Sequence, residues 1–328
     1  MAFADRTSTS GPTSVPIVDL SCFGDGGLEE DQIQVARELH RACVEVGFVY
    51  IRGHGCPQDT IDAAFQQVKA LFDLNKEQKE ALNAKNSSLY RGYNSAETGS
   101  HSCTPDEKDT LPDLKESFTI GAEGSLSPMH GANQFPESSL LPHFEPVMRD
   151  YWKCLLHVVG RRLMIALAMS LDLPRDFFLQ RCSDPVAQMI LLRYPPSTPI
   201  RRGCGSHTDC GFLTILAQDE DGLQVQNANG TWMMAPLIPG TFVVNLGDMA
   251  ARWSNDLYQS TLHRVSNNHN AFPRHSIPFF LNCNYDATVE CIVSSEEPLP
   301  KYPPVKAGEY ILEKLGLMYL ADTHSMVE

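Results

Sequence analysis

Positive charge is scarce in this 328-residue chain: 26 Lys and Arg face 40 Asp and Glu, for a formal net charge of −14. That balance is unsuited to neutralising phosphates, so nucleic acid is not an expected partner. It argues equally against attachment to an anionic membrane surface. Long apolar runs are missing as well. None approaches the roughly 18 residues that would span a bilayer. The ten cysteines are scattered, with no CxxC pair and no dense disulfide framework. The N-terminus carries no signal-peptide pattern, and a reduced, cytoplasmic setting with free thiols is expected. What is present is ordinary for a globular protein, 42% hydrophobic and 20% charged residues.

The length allows about two domains, and the chain divides by character. Residues 1–14 read as a flexible tail. Residues 15–180 are mainly helical. Ile33, Ala36, Leu39, Cys43 and Val46 recur at helical spacing from Asp31 onward, and further helices fit 58–73, 76–83 and 145–171. Short strands fit Pro16–Leu20 and Phe48–Arg52, and the polar stretch 84–138 reads as loops. Residues 181–305 form a β core. Its strands are expected at 188–194, 212–217, 222–226, 231–235, 241–245, 260–266 and 276–282, with Asn229-Gly230 as a hairpin turn. Residues 306–328 supply a closing helix, over 306–319, and a tail. The fold class is therefore mixed α and β, a sandwich or barrel core supported by N-terminal helices.

The chemistry starts at His207-Thr208-Asp209. On extended backbone, residues i and i+2 point to one face, so an imidazole and a carboxylate share a target. His143-Phe144-Glu145 has the same spacing but falls where a helix begins, and there i and i+2 do not face each other. A second histidine, His263, lies on a later strand. Two histidines and one carboxylate on one side of a metal make the facial triad of non-haem Fe(II) oxygenases, with open positions left over. Arg274 and Ser276 again share a face. A planar guanidinium fork beside a hydroxyl suits the far carboxylate of a dicarboxylic acid. His275, between them, points away. Asp248, Trp253, Asn255 and His40 read as structural.

In that order these residues resemble the iron- and 2-oxoglutarate-dependent dioxygenases of the isopenicillin N synthase type. The supporting segments run from Val15-Pro16-Ile17-Val18-Asp19-Leu20 through Arg91-Gly92-Tyr93 and Asp113-Leu114-Lys115-Glu116-Ser117-Phe118. They continue through Gly205 to Thr214, Gly222-Leu223-Gln224-Val225, Asn245-Leu246-Gly247-Asp248 and Ser260 to Val265. The resemblance implies a double-stranded β-helix, or jelly roll. It implies Fe(II) held by His207, Asp209 and His263, with 2-oxoglutarate bound by Arg274, Ser276 and Tyr194. Dioxygen is then the oxidant, ascorbate a stimulant, and the reaction oxidation of a small molecule, most simply hydroxylation, with release of succinate and carbon dioxide. Many plant members carry Asn where Leu192 stands.

Strand alternation from Arg274 and Ser276 places Phe280 and Asn282 on the substrate wall. Arg91, Tyr93 and Phe118 join it by resemblance. Val243–Val265 is similar to a thymine-hydroxylating branch of the family, which has arginine at the place of Ile190 and tyrosine at that of Cys210. Ile190, Leu192 and Tyr194 share a face and make an apolar wall here, so thymine is not the expected substrate. Two alternatives stand: a same-fold oxidase or cyclase that does not consume 2-oxoglutarate, and a non-catalytic jelly-roll binding protein. A monomer is expected.

Overall fold

The computed structural model describes residues 14–95, 113–124, 127–196, 203–266, 272–295 and 297–324, so the expected tail lies almost wholly outside the described residues. In chain order the elements begin with β1 (Ile17–Asp19), α1 (Glu29–Glu45), β2 (Phe48–Arg52), α2 (Gln58–Phe72), α3 (Lys76–Glu80), β3 (Gly92–Asn94) and β4 (Glu116–Gly121). Then come α4 (Phe144–Cys154), α5 (Arg161–Ser170), α6 (Phe177–Arg181), β5 (Pro185–Tyr194), β6 (Cys204–His207), β7 (Leu213–Gln218) and β8 (Leu223–Gln226). The last are β9 (Trp232–Met234), β10 (Phe242–Leu246), α7 (Asp248–Trp253), β11 (His263–Val265), β12 (Arg274–Asn284), β13 (Thr288–Val289), β14 (Val305–Lys306) and α8 (Ala307–His324).

The helices form where apolar spacing dictates. In α1 the buried face is Ala36, Leu39, Ala42 and Cys43, and acidic Glu29, Glu30 and Asp31 complement the positive end of its dipole. Ile33, expected on that face, is instead exposed. Gly47 ends the helix with φ +71°, and a Cβ there would meet the Gln259 carbonyl at 2.4 Å. The long helix expected at 145–171 is one rod in three pieces. A π-helical turn, Leu155–Gly160, joins α4 to α5 and shifts the register of its buried face.

Two sheets face each other as a jelly roll. The larger runs β1-β2-β10-β7-β12-β5-β4-β3 and the smaller β6-β11-β8-β9. Each central strand of the larger sheet sends alternate residues to opposite sides. Ile277, Phe279 and Leu281 of β12, with Met189 and Leu191 of β5, join the main core against the helices. Between the sheets a smaller cluster, including Phe48, Tyr50, Leu223, Val225 and Val243, fills one part of the interior. The remaining interior is lined by polar side chains, and the site lies there.

All seven strands expected in the core form, with end points shifted by a few residues, and Gly230 turns the β8–β9 hairpin at φ +78°. The stretch 84–138 departs from expectation, since β4 pairs onto β5 and β3 onto β4, extending the larger sheet. Their signal is the alternation Ser117, Phe118, Thr119, Ile120, short enough to be lost among the surrounding polar residues.

Candidate active site

Two strands and a turn bring the triad together. β6 ends at His207, the turn after it carries Asp209, and β11 begins at His263, directly opposite His207 across the antiparallel pair. Their ligand atoms all lie within 4.8 Å of one another. Asp209 Oδ1 is 3.8 Å from His207 Nε2 and 3.7 Å from His263 Nε2.

The rest of each side chain is already committed. His207 Nδ1 lies 2.9 Å from the Gly205 carbonyl, and His263 Nδ1 lies 3.0 Å from that of Thr261. A carbonyl only accepts, so both Nδ1 atoms carry hydrogen and both Nε2 atoms present lone pairs to the same point. Asp209 Oδ2 accepts from Thr214 Oγ1 at 2.5 Å and Asn245 Nδ2 at 2.7 Å, leaving Oδ1 facing the histidines. Burial opposes charge on Asp209, but His263, His207 and these two donors outweigh it and hold the carboxyl below its ordinary range. Burial, with His207 beside it, pushes the His263 imidazole down to about 4. Two imidazole nitrogens and one carboxylate oxygen on one side of a common point suit a divalent iron with positions left open.

Deeper in the interior, Arg274 is 1% exposed. It donates through Nη2 to Gln218 Oε1 at 2.9 Å, through Nε to the Glu220 carbonyl at 3.1 Å and through Nη1 to Ser276 Oγ at 3.4 Å. Its guanidinium lies over the Tyr194 ring, 5.0 Å from the centroid. These partners are all neutral, so the buried cation has no carboxylate within hydrogen-bond reach among the described residues. Gly222 makes the room: at φ +145°, a Cβ there would press within 3.2 Å of the guanidinium arm. Val265 packs by the same glycine. It is two residues along β11 from His263.

The remaining expected site residues divide. Ile190 lies on the inner face of β5, in register with Thr119 of β4. Phe280 lies on the inner face of β12, directly opposite Thr214, whose hydroxyl bonds Asp209. Asn282 also points inward, but its Oδ1 accepts the Phe212 backbone N–H at 3.0 Å, so it shapes the turn after Asp209. Burial, with Asp209 and Asp248 nearby, pushes the Cys210 thiol up to about 11.

Three placements are corrected. Tyr93 and Phe118 face the helical side of the sheet, where Phe118 meets Phe144 edge-on and Tyr93 donates to Glu116. Arg91 is spent on the carbonyls of Gly131, Ala122 and Met129. One residue of parity separates expectation from fact: Asn94, Ser117 and Thr119, beside the expected residues, share the inner face with Leu192 and Ile190. Thr214, Gln218 and Asn245 went unnoticed too. Only the strand assignments, read for parity, could have pointed to them.

The comparisons agree with this geometry. A family model described as non-haem dioxygenase in morphine synthesis, N-terminal, matches residues 15–138, and the 2OG-Fe(II) oxygenase superfamily model matches residues 186–282. The chain belongs to the 2OG-Fe(II) oxygenase superfamily. It is 36% identical to a homoarginine-6-hydroxylase of Glycine max, over 85% of this chain and 88% of that protein. It is 34% identical to the 2-oxoglutarate-Fe(II) type oxidoreductase hxnY of Emericella nidulans, over 92% and 89%. Among solved structures, Neurospora crassa T7H in complex with alpha-KG and thymine superposes with a TM-score of 0.81 at 29% identity, covering 93% of this chain and 97% of that one. A 2OG-Fe(II) oxygenase family protein from Caulobacter crescentus gives 0.79 at 30% identity, over 94% and 100%. This protein is accordingly a dioxygenase that uses Fe(II), 2-oxoglutarate and dioxygen on a small molecule. Among the described residues no helix is long and apolar enough to cross a membrane.

Proposed function

We propose that His207, Asp209 and His263 hold the iron, that Arg274 and Ser276 take the far carboxylate of 2-oxoglutarate, and that the protein hydroxylates a small, uncharged, polar molecule. The buried Arg274, whose hydrogen-bond partners are all neutral, carries the co-substrate assignment, because a dicarboxylate would supply the hydrogen-bonded counter-charge those partners do not. Iron with 2-oxoglutarate supplies an oxidative decarboxylation that yields succinate and carbon dioxide and oxidises the substrate. The chain's own residues do the rest. Tyr194 and Gln218 fix the guanidinium, Thr214 and Asn245 aim Asp209, and the two backbone carbonyls aim the imidazoles.

The substrate class follows from the wall. Asn94, Ser117, Thr119, Gln188, Ile190 and Leu192 project inward from the three strands beside β12, and none is charged. Amides and hydroxyls on one side and an aromatic ring, Phe280, on another suit a flat molecule with hydrogen-bonding edges. A guanidinium side chain would want a carboxylate that these described wall residues do not offer. With Ile190 in the wall, thymine remains outside the proposal. A cytoplasmic monomer completes it, in keeping with the unbridged cysteines among the described residues.

The test is a succinate-release screen with Fe(II) and ascorbate over neutral heterocycles and amides, set against homoarginine and other cationic amino acids. Neutral compounds should stimulate succinate formation most. Best turnover with a cationic amino acid would overturn the substrate class, and oxidation without succinate would overturn the co-substrate assignment.

A further inference from the structure

β6 is the outer strand of the smaller sheet. Among the described residues it pairs with β11 on one side and with no strand on the other, whereas β11 is held on both sides, by β6 and β8. An edge strand that ends in a metal ligand needs another restraint to keep that ligand still. Here the chain entering β4 from the larger sheet supplies it. Asp113 Oδ1 accepts the Gly205 N–H at 2.9 Å, and its Oδ2 accepts from Lys115 Nζ at 2.9 Å. Lys115 Nζ also donates to Cys204 Sγ at 3.1 Å. Gly205 in turn offers the carbonyl that takes the His207 Nδ1–H. Asp113 is 7% exposed, so water competes poorly for its oxygens.

We infer that Asp113, held in place by Lys115, is a positioning residue for His207. One carboxylate oxygen pins the residue whose carbonyl sets the ring of the ligand, across the gap between the two sheets. The inference rests on reading His207 as an iron ligand. Lys115 orients the buried carboxylate through its hydrogen bond to Oδ2, and Cys204 receives the ammonium's second donor. His263 needs no such strut, since its strand is paired along both edges and Thr261, which orients its ring, is itself tied to the Val46 carbonyl.

The test separates acceptor from charge. Both variants carry Lys115→Met, so neither leaves an ammonium unpaired. Asp113→Asn keeps an oxygen for the Gly205 N–H, and Asp113→Leu keeps the bulk without it. Fe(II) affinity is measured anaerobically, and the ligand-field spectrum of the Co(II)-loaded protein and the melting temperature are recorded on the same preparations. The Asn variant should bind Fe(II) within about threefold of wild type, and the Leu variant about ten- to hundredfold more weakly with shifted Co(II) bands, the range usual for partners of metal ligands. Equal Fe(II) affinity and identical Co(II) spectra in the two would overturn the strut, whatever their melting temperatures. Should the Leu variant not fold, Asp113→Glu with Lys115 retained, which displaces the acceptor by one methylene and keeps a carboxylate for the ammonium, is read in the same way. His207→Ala in the same assay tests the underlying reading. If it binds Fe(II) like wild type, the ligand assignment fails; if it does not and the Leu variant does, only the strut fails.

Discussion

Asn245 donates to Oδ2 of Asp209 at 2.7 Å from β10, a strand that enters the barrel 36 residues after the carboxylate it orients. With Thr214 on the same oxygen, the carboxylate is held from behind and can present only Oδ1 to the histidines. Asp209 is 9% exposed, so these two bonds are not replaced by bulk water when removed.

Removing the Asn245 amide should therefore weaken metal binding more than folding. We expect Asn245→Ala to lose about ten- to hundredfold in Fe(II) affinity, the cost usual for a partner of a metal-bound carboxylate. Thr214→Val should behave similarly. Anaerobic Fe(II) titration checks both, and wild-type affinity in Asn245→Ala would show that Asp209 needs no second donor.

The proposed function gives Arg274 the far carboxylate of 2-oxoglutarate. Arg274→Leu removes the fork and leaves one end of 2-oxoglutarate unpaired in a buried place, a charged hydrogen bond worth about 1.5–3 kcal/mol. The apparent affinity for 2-oxoglutarate should fall by about one to two orders of magnitude. Arg274→Lys should recover part of it, since an ammonium cannot reproduce a planar fork. An unchanged apparent affinity for 2-oxoglutarate in Arg274→Leu would take Arg274 out of the co-substrate site.

The far side of the same strand sets a pH dependence. His275 turns away from the pocket, its backbone N–H donating to Asp219 Oδ1 at 2.6 Å and its ring lying 3.0 Å from Oδ2, with Lys69 Nζ 3.1 Å from the same oxygen. Burial opposes charge on Asp219, but the hydrogen bonds from His275 outweigh it and hold the carboxyl below its ordinary 3.8. A carboxyl lowered by folding adds stability above the unfolded value, and that stability is lost as pH falls through the folded one. Thermal unfolding should therefore show Asp219→Asn less stable than wild type at neutral pH, with the gap closing as pH drops below about 3.8. A gap that does not narrow with acid would remove the charge from the account.

Much of this was legible in the residues, and the illegible part has one physical cause. His207 ends one strand and His263 begins another, Asp209 follows in the turn after β6, and the structure brings the ligand atoms of all three within 4.8 Å of one another, while Arg274-His275-Ser276 opens β12. Tyr93 and Phe118 did not follow, because β3 and β4 are short strands at one end of the sheet and their parity depends on pairing with β5, a non-local fact. Large apolar residues there go to the helical core, and their small polar neighbours face the cavity. Thr214 and Asn245 look like ordinary barrel residues until the fold places them on Asp209. Arg91 shows the opposite case, a cation that invites a binding role and is instead committed to three backbone carbonyls.

Phe279 and Phe280 test that parity directly, since adjacent rings on one strand face opposite layers. Phe279 is fully buried against the helices and meets Trp152 edge-on at 4.9 Å between centroids. Phe280 is only partly buried and stands opposite Thr214, beside the triad. Phe279→Ala should cost about 3–5 kcal/mol of stability, the usual consequence of deleting a core ring. Its ratio of hydroxylated product to succinate should stay near that of wild type, because nothing that touches substrate has changed. Phe280→Ala should lose much less stability, raise the Michaelis constant for the prime substrate and release succinate with less product, because a loosely held C–H bond misses the reactive position. Melting temperature and product-to-succinate ratio must be taken on the same preparations. A large drop in melting temperature for Phe280→Ala with the ratio intact would move Phe280 from the substrate wall into the core.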